Sequence, residues 1–369
     1  MGKRRESLDL IRAVAIVLVV LLHTIGHYVP VEAMTHNVCQ AFGTLGVPLF
    51  VILTGYLMAD RDYQGEYLTK YVKCNLIPLI VCFEAWNLIW YLLGKITWLL
   101  PGGGGLPATA STTLKAALFI GNTGSALWYL PMCIGLYLGL PITSRLLRWA
   151  WGQRSNTYLA VLLVGLLYFG ILVPTLSGYA SDLNIYNPVT PVLSLNIFSV
   201  TVWGDSVWMI YLAAGFAIKR GCLDKVPTYK LTICFTLISV LMTISMIETK
   251  TLGGGYANLF VCTDGVLLFA LLDRLQPWLE SPSNKVRLVG QCLSHYSFPI
   301  YMIHLWVAGG LSTVLSLAGI SQEEIMGLYP PLALVICLLI MIIIISISSF
   351  IAKGLSYLPH VRRWLFLWR

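Results

Sequence analysis

The sequence predicts an all-α polytopic membrane protein with about ten transmembrane helices and both termini in the cytoplasm. Of its 369 residues, 57% are hydrophobic and only 11% are charged, whereas soluble domains carry about 25% charged residues. Several apolar runs reach the roughly 20 residues that a helix needs to cross a hydrocarbon core of about 30 Å. The run 332–345 is apolar at every position, unlike the alternating segments of a membrane β-barrel. The same composition excludes a soluble globular enzyme.

Ten apolar segments are predicted to cross the membrane, and each ends near charged residues, Pro or Gly. In chain order they are 8–29, 41–59, 75–94, 126–144, 158–174, 196–218, 231–248, 254–273, 294–318 and 328–352. With the N-terminus inside, twenty of the 24 Lys and Arg residues fall in cytoplasmic segments and three in outer loops. The positive-inside rule demands such a distribution, and it places the chain in a bacterial-type cytoplasmic membrane as a multi-pass protein.

Two outer segments, 95–125 and 174–195, are long and contain Pro and Gly residues, which predicts loops. Such loops either cover a site as a lid or simply connect helices. The segment 8–29 shows no small-residue cleavage pattern, so it is interpreted as a retained helix rather than a signal peptide. No segment reads as an appended soluble domain, and 1–369 is therefore predicted to form one membrane-embedded domain.

The charge and cysteine content predict neither a nucleic-acid partner nor a metal. The net charge is +8, but an excess of Lys and Arg is expected from cytoplasmic loops alone. The nine Cys residues lie mostly in apolar runs without the spacing of metal ligands. They are interpreted as small packing residues. The lipid bilayer is the one partner that the composition itself predicts.

Ionisable residues inside predicted spans are the starting point for function. Each costs a few kcal/mol in lipid, so such groups usually face a cavity or a partner. Five stand out, namely Asp9, Arg12, His23, Glu84 and Asp205, and His304 is a sixth.

Three of these residues share one face of the first predicted helix. At 100° per residue, Arg12 and His23 lie about 20° from alignment and roughly 16 Å apart along the axis, and Asp9 lies one turn from Arg12. His23 is either a proton-transferring base or a hydrogen-bonded packing residue. His27 lies one turn further on the same face, but no third ligand with matching spacing accompanies the two, so no metal is expected.

Four motifs in chain order resemble those of the acyltransferase-3 family of integral membrane acyltransferases. The run 8–15 followed by His23 resembles the family's Arg and His separated by ten residues. Further segments are similar to the second-helix motif (46–57), to a Leu-Trp-Phe-Leu segment (127–131) and to a late Ser-x-x-Ile-Tyr-x-x-His stretch (297–304). Thr54 and Tyr56 stand where Ser and Phe are more usual. The run 204–215 most resembles the branch that contains the enterobacterial common antigen O-acetyltransferase.

The resemblance implies transfer of an acyl group, commonly acetyl, from cytoplasmic acyl-CoA to a hydroxyl on a glycan or other acceptor at the outer face. It implies that His23 is the catalytic residue. Lys70 and Lys73 stand where the family often has two Arg residues. Lysine keeps the charge needed for phosphate contact but lacks the bidentate guanidinium fork.

These implications give each candidate residue a predicted role. His23 is predicted to be the general base in a catalytic group with Arg12 and Asp9, in which Asp9 orients Arg12 as an ion pair. Arg12, Lys70 and Lys73 are predicted to bind the phosphates of acetyl-CoA. The predicted acceptor-binding residues are Glu84, Trp128, Tyr129, Asp205, Tyr301 and His304. Each of these six also has a structural interpretation, as a helix clamp, an interfacial aromatic or a packing residue.

Two other classes of function remain open at this point. A transporter or flippase that exports a lipid-linked or acylated saccharide would also carry buried charges in about ten helices, although the two halves of the chain show no evident repeat. A membrane domain that binds a ligand without turnover is the third possibility. Acceptor identity, acyl chain length and oligomeric state are not specified by these residues.

Overall fold

The computed structural model describes residues 4–99, 125–153, 157–183, 206–281 and 284–368. Within those ranges the chain forms helices joined by short turns, with no strand. The α-helices are α1 Glu6–Tyr28, α2 Met34–Thr44, α3 Gly46–Met58, α4 Gly65–Tyr71, α5 Ile77–Leu99, α6 Tyr129–Gly152, α7 Thr157–Leu167, α8 Val173–Asp182, α9 Ser206–Lys219, α10 Thr228–Thr249, α11 Leu259–Asp273, α12 Gln276–Leu279, α13 Lys285–Leu317, α14 Gln322–Met326 and α15 Pro330–Leu355. The predicted all-α membrane class is confirmed.

Eight helical stretches among the described residues are long and apolar enough to cross a membrane. They are Glu6–Tyr28, Met34–Met58, Gly65–Gly94, Tyr129–Gly152, Leu163–Asp182, Thr228–Thr249, Lys285–Leu317 and Pro330–Leu355. Each overlaps a predicted span. The other two predicted spans coincide with the shorter helices α9 and α11, and 196–205 lies outside the described residues. The count of ten stays a prediction.

Proline residues explain where these helices deviate from regular α geometry. Pro48 has no N–H for the Thr44 carbonyl, and the chain turns at Leu45 between α2 and α3. Short π-helical segments, Val72–Leu76 and Tyr168–Leu172, precede Pro78 and Pro174 in the same way. Pro174 lies in the first turn of α8, which runs on to Asp182. The predicted loop 174–195 was therefore wrong for 174–182, because proline is tolerated in a first helical turn.

The chain divides into two compact units. The first comprises Met1–Arg61 and Thr143–Ser349, and the second comprises Asp62–Ile142 and Phe350–Arg369. In the second unit, the Tyr71 hydroxyl donates to the Tyr137 carbonyl (2.7 Å) and the Trp86 indole N–H donates to the Leu365 carbonyl (2.9 Å). The first bond connects α4 with α6, and the second connects α5 with the C-terminal segment. The prediction of one domain remains untested by this division.

In the first unit, α1 packs against α2, α3, α11 and α13. Glycine residues allow the closest of these approaches. A Cβ on Gly43 would lie 3.0 Å from Leu22 Cβ, and a Cβ on Gly46 would lie 2.8 Å from the Ala15 carbonyl oxygen. The α3 and α9 backbones meet at Gly55 and Gly215, where a Cβ on either residue would come within 2.0 Å of a carbonyl oxygen of the facing helix. Small residues of this kind let membrane helices pack tightly.

Candidate active site

Polar residues line the interface between α1 and α13 at two levels. At the first level, the Ser294 hydroxyl donates to Asp9 Oδ1 (2.6 Å), and at the second the His23 and His304 rings are neighbours. Because residues near each N-terminus meet one another and residues further along meet one another, α1 and α13 run parallel. Parallel orientation is what the predicted topology requires of the first and ninth spans.

The first level is a hydrogen-bonded group around Asp9. Ser294 Oγ accepts from an Arg12 guanidinium nitrogen (3.1 Å), and that nitrogen lies 3.9 Å from Asp9 Oδ1. The nearest cation to Asp9 is Arg4, whose Nε lies 2.5 Å from Oδ2. This hydrogen bond raises the pKa of the Arg4 guanidinium, so Arg4 remains a cation. Asp9 itself is buried, at 7% exposure. Asp9 and Arg12 are therefore neighbours, and Ser294 joins them.

Hydrogen bonds tie this level to the residues before α1. Arg5 contacts the Tyr56 hydroxyl and donates to Asp273 Oδ1 (2.8 Å), which also accepts from the Ser7 hydroxyl (2.8 Å). Gln291 donates to Glu6 Oε2 (2.6 Å). The start of α1 is thus held against α3, α11 and α13. These contacts fix the positions of Arg12 and His23 along the helix axis.

At the second level, His23 and His304 form a pair of imidazoles. Their ring centroids are 5.1 Å apart, with an angle of 64° between the ring planes. The His23 Nδ1 bonds the Val19 carbonyl (2.8 Å), and the His304 Nδ1 bonds the carbonyls of Ile300 (3.1 Å) and Tyr301 (2.8 Å). A carbonyl can only accept, so each Nδ1 carries the proton when the ring is neutral. Each Nε2 then presents a lone pair.

His304 belongs to a buried stripe along α13. Gly290, Ser294, Ser297, Tyr301 and His304 recur at intervals of three or four residues, the spacing of one helix face, and all are buried. Gly290 lies against Leu10 of α1, where a Cβ would be 3.6 Å from the Leu10 Cα. The Tyr301 and His304 ring centroids are 6.1 Å apart. The structure shows that this face of α13 is the one turned to α1.

Five of the predicted site residues lie in the second unit. Lys70 at the end of α4 and Lys73 in the following π-helical segment are exposed and three residues apart. Glu84 of α5 is half-buried. Trp128 and Tyr129 are half-buried and have ring centroids 6.3 Å apart. The remaining candidate, Asp205, lies outside the described residues.

Three polar residues of the first unit were not among the predicted site residues. Ser294 gave no signal in the sequence, because one serine in an apolar segment is common. Arg287 lies on the same face of α13 as Gln291 and Ser294, its Nε is buried, and no described residue bonds its guanidinium. Asp264 of α11 is 0% exposed and accepts from the Ser239 hydroxyl (2.7 Å). Asp264 is an ionisable residue inside the predicted span 254–273, so the sequence contained the signal that marked the other candidates.

The chemistry available at the α1–α13 interface is proton transfer and anion binding. A neutral imidazole with a fixed Nδ1–H can take a proton at Nε2. Arg12, whose side chain is 34% exposed, offers a positive charge toward the start of α1. No group of three potential metal-ligating His, Cys, Asp or Glu side chains occurs among the described residues.

These features define a multi-pass membrane protein with an imidazole pair, in which His304 is buried and His23 is half-buried. A family model of the acyltransferase-3 family, described as an acyltransferase domain, matches residues 5–351. The match covers nearly the whole chain, so the protein belongs to this family and is a membrane acyltransferase. No match was found among curated proteins or among solved structures.

Proposed function

We propose that this protein is an O-acetyltransferase of a bacterial-type cytoplasmic membrane. It moves an acetyl group from cytoplasmic acetyl-CoA to a hydroxyl of a cell-envelope glycan or a related acceptor. The observation that carries the proposal is the geometry of His23, whose Nδ1 is held by the Val19 carbonyl so that Nε2 is the proton-accepting atom. The sequence resemblance to the branch containing the enterobacterial common antigen O-acetyltransferase supports a glycan acceptor.

The reaction requires one proton to change partners. His23 Nε2 takes the proton of the acceptor hydroxyl while the hydroxyl oxygen forms a bond to the thioester carbon. The bond between that carbon and sulfur then breaks, and its electron pair leaves with the sulfur of coenzyme A. The thiolate takes the proton from His23, which returns to its neutral form. Direct transfer is proposed because the described neighbours of His23 give no support for a covalent acyl-enzyme.

The donor site is proposed at the cytoplasmic end of the α1–α13 interface. Coenzyme A carries its phosphates and its thioester at opposite ends of a long arm, so a cation and a base separated along one interface suit it. Arg12 and His23 are eleven residues apart, which corresponds to roughly 16 Å of helix rise. Arg12, held by Ser294, and Arg287, on the same face of α13 as Ser294, supply positive charge for the phosphates. Lys70 and Lys73 are proposed as further phosphate contacts from the resemblance alone.

The acceptor site is proposed on the outer side of His23. His304 is supported by its position beside His23, and Tyr301 by its ring contact with His304. Glu84, Trp128, Tyr129 and Asp205 remain candidates because carboxylates accept from sugar hydroxyls and aromatic rings stack on sugars.

The proposal is tested by measuring release of free thiol from acetyl-CoA by purified protein, with and without a crude membrane-glycan acceptor. His23→Asn is the informative variant, since asparagine keeps an N–H near the Val19 carbonyl and removes Nε2. His36→Asn is a matched control, because His36 is also buried but bonds Val29 and Gln40 through both nitrogens. We expect acceptor-dependent thiol release that only His23→Asn loses. Undiminished release by that variant would exclude His23 as the base, and absence of acetyl-CoA binding by the wild type would refute the acetyl donor.

A further inference from the structure

The His304 imidazole is buried with one nitrogen unused. It is 1% exposed, and its Nε2 has no hydrogen-bond partner among the described residues. A buried acceptor without a donor is destabilising, because it has lost its hydrogen bonds to water. Native structures retain such groups where a ligand, water or reaction supplies the missing donor. Packing alone therefore does not account for the buried His304 imidazole.

His36 shows what a packing histidine looks like in the same protein. It is 3% exposed, and its Nδ1 donates to the Val29 carbonyl (2.9 Å) while its Nε2 lies 2.8 Å from the Gln40 side-chain amide, whose NH2 group can donate to it. Both nitrogens are satisfied. His304 differs because only its Nδ1 is bonded, and its ring is a neighbour of the His23 ring.

The anchoring of His304 also fixes what it can do. Its Nδ1–H donates to the carbonyls of Ile300 and Tyr301, so the ring is held against its own helix. In the neutral ring, Nε2 can only accept a hydrogen bond. His23 is held in the same manner by Val19. His23 and His304 are adjacent rings, and each has a lone pair on Nε2. When one ring takes up a proton, the other ring is a nearby hydrogen-bond acceptor.

We propose that His304 is a positioning residue for acyl transfer, whose Nε2 accepts a hydrogen bond from the His23 imidazolium formed during the reaction. This inference rests on the proposed function. The hydroxyl proton moves to His23 Nε2, the oxygen–carbon bond forms and the carbon–sulfur bond breaks, as above. His304 accepts the bond from the new N–H until the proton passes to the thiolate. A cation is expensive in an apolar interior, and a neighbouring lone pair lowers that cost.

Two substitutions separate the acceptor atom from the packing role. His304→Asn keeps an N–H near the Ile300 and Tyr301 carbonyls and removes the Nε2 lone pair. His304→Gln extends further and can present its amide oxygen near the position of Nε2. Each full-length variant is purified in detergent and checked for its thermal unfolding midpoint before kinetics, with His36→Asn as the control for altering a buried histidine.

The expected result is a loss of kcat of about 10- to 100-fold in His304→Asn, the value of a hydrogen bond to a charged group. KM for acetyl-CoA should stay within about twofold, and His304→Gln should recover part of the loss. A folded His304→Asn variant with wild-type kcat would overturn the proposal. So would a change confined to KM, which would make His304 a substrate-binding residue only.

A double-mutant cycle with His23→Asn gives a readout that a structural role would not produce. Because the proposed positioning role of His304 acts through His23, adding His304→Asn to His23→Asn should cost less than about twofold in residual transfer. Losses that multiply would contradict the inference, and His304→Ala, which also lacks the acceptor atom, replaces the asparagine variant in the cycle if the latter does not fold. Failure of the wild type to transfer acetyl would instead refute the proposed function itself.

Discussion

Gly46 and Val19 lie so close together that no side chain fits between them. A Cβ on Gly46 would be 2.8 Å from Val19 Cγ2 and 2.8 Å from the Ala15 carbonyl oxygen. The Val19 carbonyl also accepts the Nδ1–H of His23 at 2.8 Å. The contact between α3 and α1 therefore occurs at the helical turn that orients the imidazole.

Gly46→Ala should lower both stability and activity. The added methyl group forces α3 away from α1, at a cost of about 1–3 kcal/mol. It also displaces the turn that holds His23, so kcat should fall further than loss of folded protein explains. Gly26→Ala is the control, because Gly26 is in α1 with nothing within 4 Å of its added Cβ. Thermal unfolding and turnover of both variants test the prediction, and equal behaviour would contradict it.

The sequence predicted one face of α1 correctly because helical geometry is local. Asp9, Arg12 and His23 needed only the 100° rotation per residue to be placed together. The partner of that face could not be predicted in the same way. Ser294 and His304 come from a helix far along the chain, and their approach depends on tertiary packing that periodicity does not encode. The family resemblance pointed to His304, but nothing in the sequence pointed to Ser294.

One helix was predicted as a loop because a proline lies close to its start. Pro174 predicts a loop, yet it lies in the first turn of α8, after a π-helical segment. The meaning of a proline depends on which turn of a helix it occupies, and the sequence alone did not give the helix start. Asp205 and most of both predicted outer loops lie outside the described residues, so those predictions stand as made.

Asp264 and Ser239 should behave as a structural pair. Ser239→Ala removes the donor to a fully buried carboxyl and should cost about 1–3 kcal/mol. Asp264→Asn keeps the shape and an acceptor oxygen, and should be nearly neutral because it removes an ionisable group from an apolar interior. Thermal unfolding of the two single variants and the double variant measures the coupling. A strong loss of turnover by stable Asp264→Asn would show instead that the carboxyl takes part in the reaction.

Ser294→Ala should weaken the donor site without altering the base. The hydroxyl accepts from Arg12 and donates to Asp9, so its removal frees the guanidinium to adopt other orientations. We expect KM for acetyl-CoA to rise about 3- to 10-fold, the loss of one hydrogen bond, with kcat nearly unchanged. Ser297→Ala is the matched control, since among the described residues Ser297 donates to the Ser294 carbonyl of its own helix alone. Similar kinetics for the two variants would remove Ser294 from the donor site.

Arg287→Gln tests whether positive charge at the start of α13 acts on the donor. Arg287 shares a helix face with Gln291 and Ser294, and no described residue bonds its guanidinium. A cation near the start of α13, the helix that carries Ser294, should attract the phosphates of coenzyme A, so the variant should bind acetyl-CoA about 5- to 20-fold more weakly at low salt. Lys285→Gln removes the same charge two residues away, where the exposed side chain points to a different face. Raising the salt concentration should shrink the difference between Arg287→Gln and wild type, because salt screens the attraction between the guanidinium and the phosphates. Equal affinity of the two variants would mean that only the general charge of this cytoplasmic end matters, as the positive-inside rule alone would predict.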